Sequence, residues 1–351
     1  MPSKISRRDF LKLAGVALGG LAFSPYAPAL SQFDDSQLIR VATTQLSVYS
    51  QPNDKSRIVR PVYRDDILHV YEEVNSGTPG YNPVWYRVWG GYVHRAHTQK
   101  VQYIYNNPAT SIRETKQIAE ITVPYTRALR LVGKEWQLEP MLYFGTVQWV
   151  VGIDEGPDGE PWYRVQDEAN DIDYNVAATH LRLIPDEEIA PISPDVPFTQ
   201  KRIEVSLNMQ TVTCYEYDKP VFHTTISSGL PNVTGEKSST TTRTPQGDFY
   251  IEVKMPSKHM GNGSLAADVE AYELLGVPWV SFFTAQGHAF HGTYWHDNFG
   301  VPMSHGCVNM RTDEAKWFFR WCLSAAPADQ ISPQTLDKKC GYDRTPVKIR
   351  A

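Results

Sequence analysis

The strongest constraint on the fold is a short sequence that occurs twice. VWYRV at positions 84–88 is matched by PWYRV at 161–165, so that the two tryptophans lie 77 positions apart. In each copy an acidic or glycine-rich turn precedes the tryptophan, and a tyrosine and a run of small residues follow. Turn residues bound the apolar stretches, as between β-strands. The repeat therefore predicts two tandem β-barrel-like modules.

This pattern resembles the bacterial SH3-like domains of exported wall enzymes. The predicted boundaries are 37–107 for the first SH3-like module and 118–186 for the second. Residues 187–198 belong to a proline-rich and acidic stretch, which favours a semi-rigid linker. Two roles for the modules stay open: they bind wall glycan or peptide, or they only space and brace the rest of the chain.

Residues 199–350 are predicted to form a further, mostly β domain. Alternating polar and apolar residues at 202–207, a short turn and a second apolar stretch at 211–215 predict a hairpin. One helix is predicted from Thr312, which offers a capping hydroxyl and is followed by two acidic residues. Trp317, Phe318 and Trp321 would form its apolar face.

The N-terminus predicts export. Residues 1–30 contain a twin arginine, an apolar run from 13 to 23 and the small-residue pattern Ala-Pro-Ala at 27–29, which together are typical of a twin-arginine signal. The apolar run is about half the roughly 20 residues that span a bilayer, so we expect membrane attachment only if the signal stays uncleaved. The expected location is the cell envelope, periplasm or cell wall. A net charge of −5 without a long basic run argues against nucleic acid as a partner.

Export makes the four cysteines informative, because disulfides persist outside the cytoplasm. Cys214, Cys307, Cys322 and Cys340 permit three complete pairings. If Cys307 is instead a free nucleophile, we expect Cys322 to pair with Cys340 and Cys214 to be buried on a strand.

Residues 291–312 combine three histidines with Cys307 and have almost no aliphatic bulk. A metal site is one hypothesis, but the spacing lacks a second cysteine pair or a helical His-Glu-x-x-His. A nucleophile fits better, because a thiol of pKa about 8.5 needs a neighbouring imidazole or N–H donors to react at neutral pH. His291 lies 16 residues before Cys307, at the end of an apolar strand. We therefore expect no metal and no cofactor.

His291-Gly292-Thr293 together with Ser304-His305-Gly306-Cys307-Val308-Asn309 resembles the signature of the L,D-transpeptidase (YkuD) catalytic domain. The resemblance covers residues 199–350 and implies a β-sandwich with one or two short helices. It implies Cys307 as nucleophile and His291 as base, with the His291 ring held by a carbonyl near Gly292. His305 would shape the loop, and the amides of Gly306 and Cys307 would form an oxyanion hole. The residues implied for substrate binding are Ser304, Asn309, Trp295 and Arg311. For Arg311 an ion pair at the start of the helix is the alternative.

The family resemblance implies that Cys307 attacks the bond between a diamino acid and D-alanine in peptidoglycan stem peptides, releases D-alanine and forms a thioester. A second stem would resolve the thioester into a cross-link. Carbapenems would acylate the same cysteine. Two alternatives stay open: hydrolysis by the same site, as an L,D-carboxypeptidase or endopeptidase, and a wall-binding protein without activity.

Overall fold

A computed structural model describes residues 37–231, 242–261, 273–322 and 343–351. The predicted export signal and Cys340 lie outside these residues. The prediction of a mostly β chain is confirmed. No helix among the described residues is long and apolar enough to cross a membrane.

The first strand group comprises β1–β8, which form two open sheets with the strand orders β4-β1-β8 and β3-β2-β7-β6-β5. Its strands are Leu38–Val41 (β1), Gln45–Tyr49 (β2), Ile58–Tyr63 (β3), Ile67–His69 (β4), Glu72–Asn75 (β5), Val84–Val88 (β6), Gly91–His94 (β7) and Thr98–Val101 (β8).

The second strand group forms one seven-stranded sheet of order β11-β10-β14-β13-β12-β9-β15. Its strands are Gln117–Ile121 (β9), Tyr125–Val132 (β10), Glu135–Tyr143 (β11), Val147–Glu155 (β12), Pro161–Asp167 (β13), Ile172–Ala177 (β14) and Leu181–Leu183 (β15). The strand orders within residues 37–183 are all linear, so the barrels predicted there are not closed. In the first group the two sheets do not join into a closed barrel, because β1 pairs only with β4 and β8.

The sequence repeat corresponds to equivalent elements in the two groups. The repeated residues lie in β6 and β13, and in each group an antiparallel strand and a one-turn 3-10 helix follow. Both tryptophans donate their indole N–H to the preceding turn, Trp85 to the Thr78 carbonyl and Trp162 to the Asp158 carboxylate, each at 2.8 Å. The repeat therefore encodes a strand that is tied to its own turn.

The C-terminal region, residues 201–351, contains two open sheets and one helix. One sheet has the order β18-β17-β16-β24-β19 and the other β20-β21-β22-β23. The elements are Lys201–Ser206 (β16), Thr211–Glu216 (β17), Lys219–Thr225 (β18), Gly247–Tyr250 (β19), Val253–Gly261 (β20), Glu273–Phe282 (β21), Ala289–Gly292 (β22), Val308–Met310 (β23), Thr312–Trp321 (α1) and Pro346–Arg350 (β24).

One buried apolar cluster joins both sheets of the C-terminal region to α1. It contains Val205 of β16, Phe290 of β22 and Phe318 of α1, together with Trp149 of the second strand group. The apolar face of α1 packs inward as predicted, but Thr312 is its first residue and Arg311 the N-cap, which makes no side-chain capping bond.

The C-terminal end of α1 is held by two lysines. Lys201, 1% exposed, donates to the Trp321 carbonyl at 3.1 Å. Lys254 donates to the carbonyls of Phe319 and Cys322 at 2.7 and 2.6 Å. Cations at this end of a helix satisfy orphan carbonyls and oppose the negative pole of the helix dipole. Because α1 directly follows β23, this anchorage also fixes the strand on which the candidate site is built.

The predicted linker is docked on the C-terminal region. Ile189 and Ile192 pack against the apolar cluster, and the Ile192 amide donates to the Arg320 carbonyl at 3.1 Å. Glu188 accepts hydrogen bonds from Arg182 of β15 and from Lys316 of α1. These contacts tie the second strand group to the helix.

Candidate active site

Two parallel strands bring the histidine and the cysteine to one face of a sheet. β22 pairs with β23 so that Phe290 lies opposite Val308 and His291 opposite Asn309. Phe290 and Val308 point into the apolar cluster. Because side chains alternate along a strand, His291 points to the other face. Cys307, one residue before Val308, points to that face as well.

The bonding of His291 leaves one ring nitrogen as a proton acceptor. The side chain is 2% exposed, and Nδ1 lies 3.0 Å from the Gly292 carbonyl. Because a carbonyl only accepts, Nδ1 carries the proton and Nε2 is the free base in the neutral ring. Burial lowers the pKa of His291 to about 4, partly opposed by the bond to Gly292. The ring is therefore neutral at pH 7.

The Cys307 thiol is also neutral. Its side chain is half-buried, and Sγ lies 3.8 Å from the Gly287 carbonyl. Burial raises the pKa of Cys307 to about 11, although the Ala289 amide acts in the opposite direction. A thiol with this pKa reacts at neutral pH only if a base removes its proton during the attack.

The loop before Cys307 is fixed by its own hydrogen bonds. Ser304 Oγ donates to the Cys307 carbonyl at 2.6 Å and accepts the Gly306 amide at 3.1 Å. The Thr244 hydroxyl donates to the Gly306 carbonyl at 2.9 Å. Ser304 thus orders the loop from within. The Gly306 amide, which the resemblance implies as an oxyanion-hole donor, is bonded to Ser304 in this structure.

Gly306 also requires a conformation that suits glycine. Its φ is +118°, and an added Cβ would lie 2.7 Å from His288 Cδ2. His305 is exposed on this loop. A larger residue at 306 would therefore disturb the turn that leads into Cys307.

Two aromatic residues flank His291. The Trp295 ring lies 5.7 Å from the His291 ring and meets the Tyr294 ring edge-on at 5.0 Å. Trp295 and Cys307 both pack on one apolar cluster that includes Met255 of β20. Trp295 therefore lies beside the candidate base and packs on the same apolar cluster as the candidate nucleophile.

Asn309 and Arg311 are already engaged with protein partners. Asn309 is fully buried, and its amide lies 2.9 Å from His296 Nε2, so it does not face an open donor pocket. His296 is itself buried, with 4% of its surface exposed. Arg311 lies 3.4 Å from Glu314 of α1 and stacks over Phe299 at 4.5 Å, which favours the helix ion pair for this residue.

The first strand group contacts the loop that follows His291. Arg40 donates to the Tyr294 carbonyl at 2.8 Å. Asn82 donates to the Asn298 side chain at 2.7 Å, and the Asp297 amide donates to the first strand group at the Ala96 carbonyl, 3.0 Å away. These contacts join residues more than 200 positions apart, and no local sequence pattern predicts them.

The second strand group contacts the β20–β21 hairpin. His259 of β20 lies 2.9 Å from the Asp167 carboxylate, with both side chains at least 92% buried. Ser257 Oγ donates to the Val147 carbonyl at 2.5 Å. These bonds fix the hairpin that supplies Met255 to the apolar cluster beside Cys307.

A cavity of about 640 Å³ lies between the two strand groups and the C-terminal region. Thr293, His296 and Arg311 line it, but Cys307 does not. This cavity is therefore separate from the candidate nucleophile. Within the described ranges, no three His, Cys, Asp or Glu side chains are arranged to hold a metal ion. Of the other cysteines, Cys214 and Cys322 are buried and free.

Comparison with known proteins gives a family match for the C-terminal region. Residues 200–349 match the family model of the YkuD L,D-transpeptidase catalytic domain. No curated protein matches the chain.

Several solved structures are similar to part of the chain. The Ldtfm–avibactam carbamoyl enzyme is 24% identical over 43% of this chain and 49% of its own, with a TM-score of 0.31. The catalytic domain of the E. faecium L,D-transpeptidase acylated by ertapenem is 23% identical over 43% of this chain and 97% of its own, with a TM-score of 0.29. The L,D-transpeptidase from Mycobacterium smegmatis is 17% identical over 73% of this chain and 92% of its own, with a TM-score of 0.32. The chain spans about half the length of the first of these proteins.

Proposed function

We propose that this protein is an exported cysteine L,D-transpeptidase that cross-links peptidoglycan stem peptides. The observation that carries the proposal is the parallel register of β22 and β23, which directs His291 and Cys307 to one face while the Gly292 carbonyl leaves His291 Nε2 as a base. The match of residues 200–349 to the catalytic-domain family supports the same assignment.

The first half-reaction forms a thioester. His291 Nε2 takes the proton of Cys307 as Sγ attacks the carbonyl between the L-centre of a diamino acid and D-alanine. Because the pKa of His291 is lowered and that of Cys307 raised, both groups are neutral at rest and the proton moves during the attack. Collapse of the tetrahedral intermediate breaks the C–N bond, and the imidazolium returns the proton to the departing amine.

The second half-reaction transfers the acyl group. The side-chain amine of a second stem attacks the thioester, and His291 accepts a proton from that amine. The C–S bond breaks and the Cys307 thiol is restored with that proton. The product is an amide between two diamino acids.

Export belongs to the same proposal. The twin-arginine pattern in residues 1–30 would deliver the folded enzyme to the envelope, where its substrate is. Wall binding by the two strand groups, as SH3-like modules, stays a prediction. Their contacts with the loop after His291 and with the β20–β21 hairpin support a bracing role in addition.

Mass spectrometry of the mature chain with a tetrapeptide muropeptide tests the proposal. We expect a cross-linked dimer with loss of D-alanine for the wild type and no product for Cys307→Ala. Cys214→Ala is the matched control, because Cys214 is a buried free thiol away from this face, and it should retain the product. A tripeptide without dimer would identify a hydrolase instead. An active Cys307→Ala variant would exclude Cys307 as the nucleophile.

Carbapenem acylation provides a second test of the nucleophile. Ertapenem acylates the E. faecium catalytic domain, and we propose the same reaction at Cys307, in which Sγ opens the lactam ring and the ring nitrogen takes up the proton. Intact-protein mass spectrometry should record one added ertapenem on the wild type and on Cys214→Ala, and none on Cys307→Ala. An adduct on Cys307→Ala would place the acylated residue elsewhere.

A further inference from the structure

A second buried histidine lies behind the candidate base. His296 is 4% exposed, and its Nδ1 accepts the Asn298 amide at 3.2 Å. A nitrogen that accepts an N–H carries no proton, so the neutral ring has its proton on Nε2. Burial, together with the neighbouring His97 and His291, lowers the pKa of His296 to about 3. His296 is therefore a neutral ring with an Nε2–H donor.

The partner of this donor is Asn309. The Asn309 amide nitrogen lies 2.9 Å from His296 Nε2, which would place two donors opposite each other, while Asn309 Oδ1 is buried without a partner. Rotating the carboxamide by 180° exchanges its oxygen and nitrogen and forms an Nε2–H···Oδ1 bond. This orientation removes the conflict between the two donors and gives the carboxamide oxygen a partner. Asn309 then keeps two N–H donors on its other side.

Asn309 stands directly across from His291. The two residues are partners in the parallel pair of β22 and β23, with side chains on the same face. Residues opposite each other in a sheet have Cβ atoms roughly 5 Å apart. The His291 ring thus has Asn309 as its neighbour across the pair and the Trp295 ring 5.7 Å away. A carboxamide that is held at its oxygen presents a fixed surface to the His291 ring.

The first strand group fixes His296 in turn. The residues directly after it, Asp297 and Asn298, bond to Ala96 and Asn82 respectively. His296 also packs against the Phe299 ring at 5.2 Å. A chain of contacts therefore runs from the first strand group to the candidate base.

We propose that His296 is a positioning residue, whose Nε2–H holds the Asn309 carboxamide and thereby fixes the orientation of the His291 ring. The inference rests on the proposed function for its kinetic consequence, since it gives His291 the role of base. It also gives the first strand group a part in the chemistry, because that group holds the loop that carries His296.

The first test reads the tautomers directly. The full chain with ¹⁵N-labelled histidine would be examined by long-range ¹H–¹⁵N NMR, which separates the two ring tautomers. We expect His296 with its proton on Nε2 and His291 with its proton on Nδ1 in the wild type. A proton on His296 Nδ1 would overturn the proposal without any variant.

The second test compares two substitutions. His296→Phe keeps a ring of similar size but removes the donor, whereas His296→Gln keeps an N–H donor. We expect the Phe variant to lose about 10- to 100-fold in the rate of Cys307 acylation by ertapenem, the scale of a misplaced catalytic group, with KM for the muropeptide within about twofold. The Gln variant should recover to within about fivefold. His291 should become a mixture of tautomers only in the Phe variant.

The outcomes separate this inference from the proposed function. A Phe variant with wild-type kinetics and a single His291 tautomer would refute the positioning role. If the wild type forms neither dimer nor ertapenem adduct, the proposed function fails, yet the tautomers of His291 and His296 still decide whether His296 orients the ring. If His296→Phe does not fold, Asn309→Ala removes the same hydrogen bond from the other side. His291 should then also become a mixture of the two ring tautomers.

Discussion

Gly276→Ala would test whether the second strand group positions the β20–β21 hairpin. Gly276 lies in β21 with φ of +63°. An added Cβ would lie 2.1 Å from Gln148 Nε2 and 2.7 Å from the Val147 carbonyl, both in β12. The Gln148 side chain could move, but the Val147 carbonyl is backbone and also accepts the Ser257 bond. Glycine thus permits the close approach of hairpin and sheet.

The expected loss in the free energy of unfolding of Gly276→Ala has two parts. A left-handed conformation costs a residue with a Cβ roughly 1–2 kcal/mol, and overpacking at a close contact adds about 1–3 kcal/mol. Gly133→Ala is the matched control, because Gly133 has φ of +66° and no heavy atom within 4 Å of the added Cβ. It should show only the conformational cost, so the two variants should differ by about 1–3 kcal/mol.

Urea denaturation gives the free energy of unfolding for both variants, and amide hydrogen exchange locates the loss. We expect faster exchange in β20 and β21 for Gly276→Ala but not for Gly133→Ala. Acylation of the candidate nucleophile should slow in Gly276→Ala, because β20 supplies Met255 to the cluster beside Cys307. Equal destabilisation of the two variants, within about 0.5 kcal/mol, would contradict the close packing of Gly276 on β12.

Three further predictions follow from buried groups. Burial lowers the pKa of His291 to about 4 and of His296 to about 3, so the unfolded chain binds more protons than the folded chain below pH 6.5. The free energy of unfolding should therefore be full above pH 6.5 and fall as the pH drops toward 3, by on the order of 3 kcal/mol for each group. A flat stability curve over this range, in urea titrations at several pH values, would contradict their burial. Because burial raises the pKa of Cys307 to about 11, its alkylation by iodoacetamide should speed up about tenfold per pH unit from pH 6 to 9; a plateau already at pH 6 would indicate a preformed thiolate. Arg40→Met should lower the free energy of unfolding by about 3–5 kcal/mol, because the Asp65 carboxylate, 2.9 Å from Arg40, would lose its ion pair. Urea denaturation of Arg40→Met and of Asp65→Asn measures this loss. A loss under about 1 kcal/mol for Arg40→Met would contradict the prediction.

Much of the local structure was predictable because its causes are local. The repeat at 84–88 and 161–165 marks β6 and β13, since each tryptophan bonds to a turn only four to seven residues away. The helix after Arg311 follows from apolar spacing and acidic residues in its first turn. The SHGC segment and the upstream histidine also identify the candidate site. The loop before Cys307 is ordered at short range, by the hydrogen bonds of Ser304 with the Gly306 amide and the Cys307 carbonyl.

The tertiary structure alone decided which distant residues meet. Arg40 contacts Tyr294 across 254 positions, and His259 pairs with Asp167 across 92. His296 is polar and lies in a loop sequence, yet packing against the first strand group buries it and turns it toward Asn309. Sequence patterns report which face of one element is apolar, whereas burial of a loop residue depends on what the rest of the chain places over it. The sequence by itself predicted strands, the helix and a candidate nucleophile with its candidate base, whereas the packing of the two strand groups decided which distant residues surround the loop after His291.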